Sequence, residues 1–431
     1  MAADETPYRV DGEAGRFEFT CHRVMRERSV VLDTSRQVFA PLIGKGWYRT
    51  VGFKDLAIVH GVLGSSYRDT TERINRIRHQ AGATPLRTLQ DGVEAEGAAA
   101  AATLERDARR TLREDGIDDQ TLLPVETRPA VPRERMGSDR VDVALGEVAP
   151  DEQTLAAMRA NPVGYEDPAA SVNVSIDDVL CKEQKEHRDR HDRTAAVPAP
   201  PVSADASTER PRKYVHTTVA HVDVDGEHRV FVGAGPQLAC LLVMAFLVAN
   251  KKQRANWMFF VDGQRSLQDL LVRVFAWQGT IQLILDWYHL IKKCKEALSS
   301  ALNNRHVRNA VLKEIMPKLW YGTPEAAIIH LQQLDPKHIK SSDAIRRLIG
   351  YLERNRPHIP CYAVRKKLGL RNSSNRGEKA NDLLVSARQK HNGMSWSKPG
   401  STALATLAAL VSNDNHRHWL ENRSVTFRLA A

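Results

Sequence analysis

Cysteine is scarce: five in 431 residues, at positions 21, 181, 240, 294 and 361, with no CxxC pair and no tight cluster. That spacing excludes a disulfide framework and a cysteine zinc site, and it predicts a reducing, cytoplasmic setting. Long apolar runs are missing too. The longest begins at Leu238 and ends before Asn250, short of the roughly 18–20 residues a helix needs to cross a bilayer, so no membrane partner is expected. The opening MAADETPYRVDGEAG is acidic and polar and lacks the apolar core of a secretory leader.

Acidic residues also run short in one part of the chain. Residues 251–431 carry 30 Lys+Arg against 13 Asp+Glu, a net of +17, whereas the first 250 carry 32 against 39, a net of −7. The overall +10 hides that asymmetry. A basic region of this size is the electrostatic footprint of a polyanion, because each phosphate neutralised releases counterions. A solvated charged surface is the plainer reading.

Residues 1–50 read as short strands and turns, with Phe17, Phe19 and Val24 alternating. Residues 51–125 turn helical: FKDLAIVHGVLG, then SSYRDTTERINRIRHQ with Ser65 or Ser66 as N-cap, then TPLRTLQDGVEAEG, where Thr84 and Pro85 open a helix. Two such helices across a short AGA connection suggest a helix-turn-helix, with Arg87 and Gln90 as groove-contact candidates; a plain helical bundle gives the same spacing. The alanine-rich 92–115 predicts an exposed helix. Residues 126–168 read as a linker or extended connection around TRPAVPRERMGSDR, and the proline-rich 192–212 as a mobile loop.

The remainder has strand character. SVNVSIDDV alternates Val172, Val174 and Ile176 and then meets Asp177 and Asp178. KYVHTTVAHVDVDGEHRVFVG gives two more strands about the hairpin dipeptide Asp225-Gly226, with Asp223 assigned to a solvated face. A buried helix follows at Leu238–Asn250. WMFFVDGQRSL and IQLILDWYHLIKK each read as a buried strand running into a helix, one ending at Asp262 and the other at Asp286. Three antiparallel strands followed by parallel crossover strands define an α/β fold of the ribonuclease H-like kind, whose first and fourth strands lie side by side. That order brings Asp177 and Asp262 to neighbouring strand ends. Paired carboxylates repel unless a divalent cation bridges them, and two Mg²⁺ (or Mn²⁺) ions could clamp a phosphodiester there. A third carboxylate is expected from the helix in NSSNRGEKANDLLVSARQKHNGMSW: Glu378 first, with Asp382 one turn later as the alternative.

Together VSIDDV, FFVDGQRSL, LDWYHLIKK, a helical insertion and GEKANDLLVSARQKHNGMSWSKPG resemble the catalytic domain of Mutator-like bacterial insertion-sequence transposases of the DDE class, over about residues 170–415. The family pattern has an Asp on the first strand, Asp-Gly after the fourth, Cys or Asp, two residues and His after the fifth, a helical insertion, and a Glu on the next helix. These fall on Asp177, Asp262, Asp286 with His289, residues 291–370, and Glu378. The second aspartate, Asp178, stands where the family has a small residue, and the proline-rich loop is longer than the pattern leads one to expect.

The resemblance implies a catalytic domain of 169–290 and 371–415, a basic all-α insertion of 291–370 and a tail of 416–431. It implies metal-dependent DNA cleavage and strand transfer by Asp177, Asp262 and Glu378, with Asp286 and His289 as auxiliaries near the scissile phosphate; without it, that Asp and His read as structural. Lys292, Lys293, Arg365, Lys366, Lys367, Arg388, Lys390 and Lys398 are the expected DNA contacts. Trp396 reads either as a platform for an unpaired base or as a core anchor. The expected partners are element ends and target DNA, bound as a homodimer or higher oligomer, with no nucleotide cofactor and nucleoid association when on DNA. A junction resolvase of the same fold and a catalytically inactive DNA-binding regulator are the rival readings.

Overall fold

The computed structural model describes residues 2–26, 29–33, 49–79, 82, 84–184, 213–279, 281–391 and 393–429. The proline-rich segment 192–212 and part of the AGA connection lie outside the described residues. Chain contacts divide into two units, one of Met1–Thr103, Asp178–Thr217 and Asn381–Val425, the other of Leu104–Asp177, Thr218–Ala380 and Thr426–Ala431.

The first unit opens with an antiparallel sheet of β1 (Ala2–Gly12), β2 (Gly15–Arg26) and β3 (Ser29–Asp33). Helices Val51–Leu63 and Tyr67–Ile77 follow. Ser66 caps the second, its hydroxyl accepting from Asp69 N at 3.0 Å. Buried charges here are paired: Lys54 Nζ meets Glu96 Oε1 at 3.0 Å, Arg423 also reaches Glu96, and Arg78 Nη2 donates to Asp11 at 2.9 Å. The alanine-rich segment forms one 29-residue helix, Leu86–Glu114. It is not the exposed helix its composition predicts: Leu89, Val93, Ala100, Ala108 and Leu112 are fully buried, because small alanines let neighbouring backbone approach. At Gly97 a Cβ would stand 2.3 Å from the Ala403 carbonyl oxygen.

The second unit is built on a five-stranded mixed sheet in the order β6-β5-β4-β7-β8, formed by Glu227–Gly233, Tyr214–Val224, Ser171–Lys182, Asn256–Val261 and Gln282–Leu285 respectively. β5 and β6 are antiparallel through Asp225 and Gly226, both at positive φ, as a two-residue hairpin of this type requires. β4 runs parallel to β7, and β7 to β8. The first strand of this sheet thus lies beside the fourth, the placement expected of the ribonuclease H-like order. All six residues of β7 are buried, which fits a central strand covered on both faces. Helix Pro236–Ala249 is apolar nearly all round, with Ala239 to Val248 buried.

Residues 126–168 depart from an extended connection. They carry helices Ser138–Val148 and Glu152–Arg159, whose Leu145 and Met158 pack with Val364 and Leu368. The insertion is helical, as its periodicity predicts. Trp287–Ala301, Arg305–Trp320, Pro324–Gln332, Ser342–Asn355 and Tyr362–Lys367 enclose a core of Leu290, Cys294, Ile315, Leu319, Leu348 and Leu352. The helix that carries Glu378, Asn375–Asn381, passes into a π-helical stretch, Asp382–Lys390, so the simple spacing from Glu378 to Val385 does not hold. No helix among the described residues is long and apolar enough to cross a membrane.

Candidate functional site

β4 and β7 pair from Ser171↔Asn256 to Ser175↔Phe260. Asp177 lies two residues beyond the last pair on one strand and Asp262 two beyond it on the other, so alternation turns both toward one face of the sheet. Val172, Val174 and Ile176 are buried on the opposite face, whereas Asn173, Ser175 and Asp177 are only partly covered. Alternation also turns Asp178 away from Asp177.

The Asp262-Gly263 turn is fixed by its neighbours. Asp262 Oδ1 accepts from Gln264 N at 2.7 Å, and its carbonyl accepts from the Tyr351 hydroxyl at 3.1 Å. Gly263 has φ +89°, and a Cβ there would stand 2.6 Å from the Tyr351 ring. Only glycine meets both demands at that position.

Glu378 reaches the same face from the helix above it. At Gly377 a Cβ would lie 2.8 Å from Ser175 Cβ and 3.8 Å from His221 Cβ, so the missing side chain lets the helix settle directly on β4 and β5. Glu378 Oε1 is 3.0 Å from His289 Nε2. Burial pushes the Glu378 carboxyl up; the positive charge of His289 pulls it down, Asp286 pushes it up and Lys292 pulls it down, and the net is a raised value.

Asp286 is fully buried, so an auxiliary role for it is one of positioning and not of contact with DNA. It works as a junction. Its Oδ1 caps the helix of His289 by accepting from His289 N at 3.0 Å, and its Oδ2 accepts from Ser374 N and, at 2.7 Å, from Ser374 Oγ. Trp287 N donates to the Asn372 carbonyl at 3.0 Å. One carboxylate therefore joins the end of β8 to the loop that leads to Glu378.

The expected DNA contacts divide. Lys292, Lys293, Lys366, Lys367, Lys390 and Lys398 are exposed. Lys367 pairs with Glu147 at 2.7 Å, and Lys293 lies 5.9 Å from the Tyr351 ring centre. Arg365 is a correction: it is fully buried and makes a two-pronged ion pair with Glu166 at 2.7 Å on each arm. Arg388 is a second, buried between the rings of Tyr67 and Trp396 and donating to the carbonyls of Gly61 and Ser65. Trp396 is a core anchor rather than a base platform: it is 5% exposed, with its indole N–H on the Gln389 carbonyl at 3.1 Å. Of the helix-turn-helix candidates, Arg87 is exposed and pairs with Asp91, while Gln90 donates to Glu94 at 2.8 Å.

Asp223 is a third correction. It is buried on β5, not solvated, and Arg371, Arg376 and His228 converge on it. The sign was present in HVDVDG, where His221 and Asp223 alternate with two valines, but β5 has cover on both faces and polarity alone points to water. Burial, reinforced by His228, lowers the His221 imidazole to about 4.

Asp177, Asp262 and Glu378 offer the hard oxygen donors that Mg²⁺ or Mn²⁺ takes. No group of three or more His, Cys, Asp or Glu among the described residues is arranged to hold a metal ion. The donors fit such an ion in kind, and His289 engages one oxygen of Glu378, Oε1.

No family model matches the chain, the Mutator-like family included, and no curated protein matches it. Among solved structures, the Drosophila P element transposase strand transfer complex is similar over 91% of this chain and 87% of that chain, at 12% sequence identity and a TM-score of 0.24, a likeness too slight to bear on fold or activity.

Proposed function

We propose that the chain is a DDE-type transposase that cleaves DNA at the ends of a mobile element and joins the freed ends to a target. The observation that supports this best is the placement of the carboxylates: Asp177 within β4 and Asp262 just past the end of the adjacent parallel strand β7, with the helix of Glu378 seated on β4 and β5 through Gly377. Bound divalent ions would supply Lewis acidity at the scissile phosphate and make water, or a 3′-hydroxyl, a competent nucleophile. Asp177 would offer its carboxylate from within β4 and Asp262 from the turn that follows β7, which Tyr351 keeps in place. His289 holds Glu378 and supplies the positive charge that keeps its carboxyl from rising further. Lys292, Lys293, Lys366 and Lys367 are the phosphate contacts of the second unit; they position DNA and do not read it.

The test is incubation of purified protein with duplexes carrying the sequences that flank its gene, in Mg²⁺ and in EDTA. The proposal expects cleavage that leaves 3′-hydroxyl ends and, with added target duplex, joined products, both only in Mg²⁺ or Mn²⁺. Binding without cleavage or joining in either metal, on flanks that include terminal inverted repeats, would refute it.

A further inference from the structure

Asp223 is 7% exposed on β5, an interior strand of the five-stranded sheet. Its Oδ2 accepts from Arg371 Nη2 and, at 2.7 Å, from Arg376 Nη1. His228, its registered partner on β6, brings Nδ1 to 3.0 Å of the same oxygen. Two permanent positive charges therefore converge on one negative charge, and Arg376 Nη1 also lies 2.8 Å from His228 Nε2. Guanidinium groups held this close repel one another, and a second anion shared between them relieves that repulsion.

These groups also face water. Side-chain exposure is 56% for Arg376, 44% for His228 and 30% for Arg371, although the carboxylate beneath is buried. Each guanidinium meets Asp223 through a single nitrogen, and the planar fork of an arginine suits the oxygens of a phosphate. The buried aspartate thus orients two arginines and leaves the assembly net positive.

Its place in the fold says which phosphate. Arg376 and Glu378 flank Gly377, the residue seated over Ser175 and His221. From that seat Arg376 is tied toward the β5–β6 hairpin, and Glu378 to His289 beyond β8. An anion between Arg371 and Arg376 would lie alongside the carboxylate face. We propose that Arg371 and Arg376, oriented by Asp223, form a clamp for a backbone phosphate of the DNA strand that crosses this face. The identity of the ligand as DNA rests on the proposed function; the clamp is tested without catalysis.

The experiment is fluorescence anisotropy of a labelled DNA duplex with the full chain in EDTA, over a series of salt concentrations. Arg371→Gln with Arg376→Gln is expected to weaken binding about tenfold at moderate salt and to flatten the salt dependence by about one to two counterions. Arg376→Gln alone, at the more exposed position, is expected to give an intermediate loss, and it carries the test should the double variant unfold. The control removes the same charge elsewhere in the unit: Arg140→Gln with Arg159→Gln, both exposed, is expected to leave affinity and slope unchanged. Wild-type affinity in the clamp variants, or an equal loss in the control, would overturn the proposal. So would loss of inorganic phosphate binding by calorimetry with duplex affinity intact, which would assign the pair to a free ion. Because the assay contains no divalent metal, failure of the clamp is read separately from failure of cleavage.

Discussion

His289 Nε2 stands 3.0 Å from Glu378 Oε1, linking the helix that follows β8 to the helix seated on β4. The pairing opposes burial, which raises the Glu378 carboxyl. Replacing His289 by Ala removes the opposing charge, so Glu378 holds its proton to higher pH. The acid limb of the cleavage rate profile is expected to move upward, and the rate at neutral pH to fall about 10- to 100-fold, as for loss of a partner to a metal ligand. His289→Gln, which keeps a donor without the charge, should lie between. A profile that does not move would deny the pairing a role in the chemistry.

Gly377 allows the close approach. Gly377→Ala is expected to cost about 1–3 kcal/mol through overpacking against Ser175 and to reduce cleavage by lifting Glu378 from the sheet. In the double variant with Ser175→Gly most of both losses should return, since the added methyl then meets no side chain at β4. A double-mutant cycle from urea unfolding and cleavage rates reads the coupling.

Arg365 and Glu166 form a buried pair, so Arg365→Met should destabilise the protein by about 3–5 kcal/mol by stranding a carboxylate. Removing both charges, with Glu166→Leu added, should recover most of that. DNA affinity of the double variant should match wild type, unlike that of a phosphate contact. Chemical denaturation and anisotropy on the same preparations check both halves.

Burial holds the His221 imidazole at about 4, below its ordinary 6.5. The folded protein therefore takes up this proton later than the unfolded chain does. Its contribution to stability is complete above pH 6.5 and is lost as pH falls toward 4, on the order of 3 kcal/mol across that window. His221→Gln should flatten the stability curve between those limits, as measured by urea unfolding at stepped pH.

Elements with strong local signals were legible in the sequence. Apolar runs ending in Asp-Gly and Asp-Trp marked β7 and β8, Ser66 marked a helix start, and Asp225-Gly226 marked the hairpin. What escaped depends on tertiary partners. Arg365 and Arg388 carry the same charge as the exposed Lys366 and Lys390, and no local pattern says that Glu166, 199 positions away, or the Tyr67 ring awaits them. Alanines in 92–115 read as solvent-facing because their neighbours are charged, yet their small size is what suits them to close packing. Asp286 stood in the right place for a site residue, but its capping of two segments follows only from the return of Ser374 to the end of β8. Glu378 was marked by its helix start; its seat was hidden in Gly377, whose importance lies in what Ser175 would otherwise strike.

The most direct measurement compares cleavage of an element-end duplex in Mg²⁺ by five single variants, each matched for DNA binding. Asp177→Asn, Asp262→Asn and Glu378→Gln are expected to lose cleavage and strand transfer by about a thousandfold or more while binding DNA as wild type does. Asp178→Asn, next to Asp177 on β4 but turned to its other face by alternation, and Asp382→Asn, exposed and 3.7 Å from His391, are expected to retain both activities. Strand transfer at the wild-type rate by Asp262→Asn would contradict the assignment of this sheet face as the catalytic centre.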